Sequence, residues 1–214
     1  MSRPLVCVAL LLPLVLSGCM VRSLHPVYTD NDIVAMPEVE GTWKGQDDEG
    51  SISFVRDDDG YVFRVADGPD RLVASAHFAR IGKATYMDLT FRDANIDEAL
   101  KDCGDDAANE KCRDIVEAIV APYAYFTTPV HYFQQVEVRN KVLRMRAMSS
   151  GWAKDRREKG RLWIEHIADG ESTLLTAETP RVQRFLRRWE KCDDAWDSWT
   201  EIPLVPAQAP APAK

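Results

Sequence analysis

The chain has 214 residues, 45% hydrophobic and 29% charged, with a formal net charge of −7. That is enough apolar material for one buried core and about one domain. The surplus of acid excludes the basic footprint needed to neutralise phosphates, and with no nucleic-acid motif in the chain, nucleic acid is not an expected partner.

The N-terminus reads as an export signal. Arg3 supplies the positive start, and Leu5 to Leu16 is apolar with Pro13 inside it. The run is shorter than the roughly 20 apolar residues of a spanning helix. Leu16-Ser17-Gly18-Cys19 follows and matches the bacterial lipobox. Small residues fit a cleavage groove, and the Cys19 thiol can form the thioether to a diacylglycerol. Cleavage before Cys19 removes residues 1–18, Cys7 among them, and frees an amine for a third chain. Each buried methylene contributes about 0.8 kcal/mol, so two or three chains hold the protein firmly on a membrane. Met20, rather than Asp, follows the cysteine, which favours the outer membrane under the enterobacterial sorting rule. The expected location is the bacterial envelope, on the periplasmic face of the outer membrane.

Residues 19–40 then form a lipidated N-terminus and tether containing Pro26 and Pro37. Residues 41–192 form a single β-rich domain. "SISFVR" and "YVFRVA" are rich in β-branched and aromatic residues, with Asp59-Gly60 between them as the hairpin turn. The "DDDG" there fails the calcium-loop spacing, because Val55 occupies the first ligand position if Asp57 and Asp59 are the third and fifth. "LVASAHFARI" and "ATYMDLTF" follow, joined across Gly82-Lys83. Residues 93–122 interrupt the β pattern as a helical insertion. "CGDDAANEKC" inside it suits a disulfide, Cys103–Cys112, since an exported protein meets an oxidising compartment. The alternatives pair Cys192 with one of the two, and either way one thiol is left over.

"VHYFQQVEV" and "KVLRMRAM" resume the strands across a turn at Arg139-Asn140. In the second, Val142, Arg144 and Arg146 alternate with Leu143, Met145 and Ala147, one face basic and one apolar. "SSGWAKDRREKGR" is a short helix or loop, and "RLWIEHI" and "TLLTA" are the last strands. Thr179 as N-cap and Pro180 at the first position open a helix. Val182, Phe185, Leu186 and Trp189 make its apolar stripe. Arg181, Arg184, Arg188 and Lys191 lie opposite. Residues 193–214 end in "PLVPAQAPAPAK", a Pro/Ala-rich extended tail. The fold class expected is α+β: a mostly antiparallel β-barrel or strongly curved sheet of roughly eight strands, with the helical insertion and one C-terminal helix packed on the sheet.

"SLHPVYTDNDIVAMPEVEGTW", "TPVHYFQQVEVRNKVLRMRAMSSGW" and "LLTAETPRVQRFL" resemble segments of a widespread group of bacterial lipoproteins of uncharacterised function. The group's mature chains begin with a Ser-Leu-x-Pro-hydrophobic-Tyr segment and reach Gly-Thr-Trp soon after. The resemblance implies lipidation at Cys19 and brings no assigned activity with it. Gly41-Thr42-Trp43 also resembles the Gly-x-Trp opening of lipocalins and related calycin barrels. That likeness implies an apolar ligand and a tryptophan closing the barrel floor.

No serine elbow, phosphate-cradling loop, His-Glu-x-x-His or Cys-x-x-Cys occurs. His77, His131 and His166 fall on predicted strands and could converge on a metal inside a barrel, without support from their spacing, and Asp88 and Glu137 on strands could make a carboxylate pair. Neither catalytic residue nor cofactor is assigned. Trp43, His131, Trp152 and Trp163 are candidates to line a ligand cavity. The function expected is therefore non-enzymatic. The first form binds an apolar or amphipathic small molecule in a barrel-like domain. The second is a structural or interaction factor of the envelope with a protein partner, and an enzyme without a recognisable motif stands third.

Overall fold

The computed structural model describes residues 20–44, 50–58, 60–67, 70–91 and 130–204. Among them run β1 (Val21–Ser23), β2 (Gly41–Lys44), β3 (Gly50–Asp57), β4 (Gly60–Asp67), β5 (Asp70–Ile81) and β6 (Ala84–Phe91). Then come β7 (His131–Arg139), β8 (Val142–Ala147), α1 (Ser150–Glu158), β9 (His166–Asp169), β10 (Ser172–Leu175), α2 (Thr179–Trp189) and β11 (Thr200–Pro203).

Strands β2 to β8 pair in sequence, each antiparallel to the next. β11 returns to pair with the far side of β8. Among the described residues only a single bridge, Trp43 to Leu204, joins the two ends of this path. A path of eight strands whose ends meet must curl, but no ladder closes it. The sheet is open, so the closed barrel among the expectations is not what forms. Among the described residues the strand count rises to eleven, because β1, β2 and β11 join the eight expected strands. Strand β7 forks. Its first residues pair with β1 and its later ones with β8. β1 continues the fork as a parallel partner of β10, and β10 pairs with β9.

Alternation along the strands gives each face its own core. Inside the curl lie Trp43, Phe54, Phe63, Phe78, Met87, Leu143 and Ile202. On the outer face Ile81, Tyr86 and Phe133 meet the helices, through Ala153 of α1 and Val182, Phe185 and Leu186 of α2. β8 behaves as its alternation implies, with Leu143, Met145 and Ala147 buried and the arginines turned outward.

The residues expected to be a tether are part of the domain from Met20 onward. Val21, Val27, Met36 and Val39 are buried. The strap from 24 to 40 is held by backbone and side chain alike. Val34 N–H donates to the Phe78 carbonyl at 2.8 Å, and Met36 N–H to the Tyr61 hydroxyl at 2.9 Å. Thr179 Oγ1 donates to the Pro26 carbonyl at 2.7 Å, and Gln183 Nε2 to the Val27 carbonyl at 3.1 Å. Thr179 is thus spent on the strap, and Glu178 takes the N-cap position. Part of the expected tail is also domain. Trp196 is buried and β11 lies within residues 193–204.

Turn chemistry shifts several boundaries. Asn140 and Lys141 both have positive φ, 53° and 62°, so the turn sits one residue later than expected. That pair suits the two-residue hairpin turn that needs φ > 0 twice. Gly60 is not a turn residue at all; it pairs with Asp57 as the first residue of β4. Its reason is space, because a Cβ there would come within 2.7 Å of the Ala76 carbonyl. "RLWIEHI" yields a strand only from His166, and Trp163 stands exposed before it. The helical insertion, Cys103 and Cys112 lie outside the described residues, as do Cys19 and the export signal. Cys192 is a free thiol, packed against the helix-side core.

Candidate functional site

The four residues expected to share a cavity do not come together. Trp43 is fully buried inside the curl, its Nε1–H donating to the Val39 carbonyl at 2.7 Å. Trp152 packs on the helix side, edge-on to Trp189 at 5.0 Å between centroids. Trp163 is 66% exposed. His131 opens β7 and serves a different purpose.

That purpose is a polar knot under the strap. Asp88 on β6 is 1% exposed. Its Oδ2 accepts the Val27 N–H at 2.9 Å, and its Oδ1 lies 2.7 Å from His131 Nδ1. A buried carboxylate is costly unless donors surround it, and here two do. Because the carboxylate can only accept, Nδ1 of His131 carries the hydrogen. Tyr28 stacks on His77 at 5.0 Å. Its hydroxyl is pushed up to about 12, first by burial, then by the negative charges of Asp88 and Asp30. Asp32, at the edge of the knot, feels burial pushing it upward. Hydrogen bonds from Thr29 and Gln183 outweigh this and hold it below the usual carboxylate range.

An aspartate behind a histidine invites comparison with a general-base pair. The geometry argues for support instead. A relay needs its nucleophile on the ring nitrogen opposite the carboxylate. Among the described residues the hydroxyl nearest the ring, Thr90 Oγ1, is 3.3 Å from Nδ1, the same nitrogen that Asp88 occupies, and none is placed on Nε2. The knot therefore fixes the strap. Among the described residues no three His, Cys, Asp or Glu side chains cluster closely enough to hold a metal ion. His166 Nδ1 lies 2.7 Å from the Ile164 carbonyl, and Glu137 is engaged by Arg144 and Arg139.

A cavity of about 180 Å³ opens where the strap crosses β5, lined by Val34, Arg56, Tyr61, His77 and Phe78. Pockets for small molecules generally occupy about 300–1,000 Å³. This one falls below that range, although a cavity of about 150 Å³ already holds benzene.

The feature that sequence reading missed is a pair of arginine–tryptophan ladders. Arg146 lies over Trp196 and Trp199, and Arg144 over Trp199. On the helix side Arg156 lies between Trp152 and Trp189, and Arg188 between Trp189 and Trp163. Each such contact contributes about 0.5–1 kcal/mol at an exposed site. Trp152 and Arg156 stand i, i+4 on α1, a signal the sequence did carry. The second ladder reaches solvent at Trp163.

Comparison of the chain with protein-family models, with curated proteins and with solved structures finds no match.

Proposed function

We propose that this chain is a lipid-anchored, non-enzymatic interaction factor of the bacterial envelope. It is held through acyl chains on Cys19, on the periplasmic face of the outer membrane. The lipobox at 16–19 and the resemblance to a lipoprotein group support the anchor. One observation favours interaction over carriage of an apolar ligand: aromatic and aliphatic side chains occupy the inside of the curl. Trp43, Phe54, Phe78, Met87 and Leu143 are all no more than 1% exposed there. A lipocalin-like carrier keeps that volume open.

Native mass spectrometry tests the choice. The Cys19→Ser chain, exported behind a cleavable signal and purified gently from periplasm, should fly at its bare polypeptide mass. Fatty acid or lysolipid added in excess should leave that mass unchanged. A stoichiometric lipid retained from the cell would replace this reading with a carrier.

A further inference from the structure

We infer that the outer face of α2, with Trp163 beside it, rests on anionic lipid headgroups. The inference builds on the anchoring proposed above and adds an orientation to it.

The first argument is the lack of slack. β1 is paired on both sides, to β7 and β10, and Val21 is 3% exposed. Residue 19 is two positions away, at most about 7 Å along the chain. Acyl chains on it would draw the domain itself, and no free tether, to the bilayer. Val21 also belongs to the same buried cluster as Val182, Phe185 and Leu186 of α2. The anchored strand and α2 therefore share one core.

The second argument is charge. Arg181, Arg184, Arg188 and Lys191 fall on one side of α2 and its end, and all are exposed. Arg181 pairs with Glu165. Among the described residues, Arg184, Arg188 and Lys191 have no acidic partner. The rest of the molecule has the opposite sign. Residues 19–129 carry 11 basic and 22 acidic side chains. An anionic surface thus attracts this face, although the chain as a whole carries surplus acid.

The third argument is Trp163. Arg188 sits 5.0 Å from its ring centroid, so the indole is propped up at the surface beside the basic stripe. An exposed tryptophan flanked by cations suits the headgroup layer, where its apolar ring and polar N–H are both accommodated.

The test uses the acylated chain in proteoliposomes of phosphatidylethanolamine and phosphatidylglycerol with brominated acyl chains. Tryptophan quenching by these lipids should be largely lost in Trp163→Phe. In parallel, the Cys19→Ser chain is sedimented with phosphatidylglycerol vesicles. Removing Arg184 and Lys191 together should lower its partition roughly 30-fold, from about 1 kcal/mol per cation. Equal quenching in the wild type and Trp163→Phe, with the acylated chain in the membrane, overturns this surface and leaves the anchor standing. A chain that is never acylated, yet partitions through Trp163 and these cations, overturns the anchor and supports the surface. A protein crosslinked at position 163, with no lipid quenching, overturns the surface in favour of a protein partner.

Discussion

Asp88→Ala should destabilise the domain by about 2–6 kcal/mol, because it leaves two donors unsatisfied at about 1–3 kcal/mol each. The mutation strips the Val27 N–H of its acceptor and leaves His131 without its 2.7 Å partner. Val27 stays fully buried and the His131 side chain is only 14% exposed, so neither donor recovers water cheaply. The strap from 24 to 40 should loosen with it, since Val27 is its deepest residue on the helix side. Thermal unfolding should move down by roughly 10 °C in a domain of this size. Asp88→Asn should fall between the two, because an amide oxygen keeps one acceptor site. A shift in Asp88→Ala no larger than that of a surface substitution would show that the knot contributes little.

Trp43→Ala should cost a similar amount by a different route. The side chain is fully buried and stands where the bridge to Leu204 draws the two ends of the curved sheet together. Truncation leaves a cavity in the middle of the inner core and an unpaired Val39 carbonyl. Large aromatic truncations of this kind cost about 3–5 kcal/mol. Trp163→Ala is the control: at 66% exposure it should change stability by no more than about 0.5 kcal/mol. Chemical denaturation of the two variants side by side would separate the tryptophan that holds the fold from the one available to a partner. Equal costs would contradict the filled interior.

Much of the strand succession was legible, because period-two alternation and two-residue turns are local. β5, β6, β7 and β8 lie within a residue or two of where alternation puts them, and Gly82, with φ of 64°, turns where its sequence implies. What was not legible is long-range. Residues 20–40 look like a tether, since two prolines and polar residues break any pattern. Their order comes from partners far along the chain: Asp88, Thr179 and Gln183. Strand β1 has three residues and no alternation to read; it exists because β7 and β10 flank it. The tail was misread for the same reason, since Trp196 and β11 are placed by β8 and not by their own neighbours. His131 and Asp88 stand 43 positions apart, and nothing in that spacing announces a pair. Helix α2 was readable from its stripe, but its N-terminus was not, because Thr179 donates to the strap rather than to its own helix.

The arrangement links anchor, fold and surface. A strap knotted at Asp88 fixes the segment that follows β1, and β1 fixes the residue next to Cys19. On the proposed reading the function lies on the outside, where the arginine–tryptophan ladders run. The measurement that tests this most directly is the mass of the N-terminal tryptic peptide, Cys19 to Arg22, from the membrane fraction of cells making the wild-type chain. The account predicts a peptide beginning at Cys19 with the added mass of a diacylglyceryl group, with or without a third acyl chain, and release from the membrane of a Cys19→Ala chain exported behind a cleavable signal. An unmodified peptide, or a chain that leaves the membrane without any change at Cys19, would contradict it.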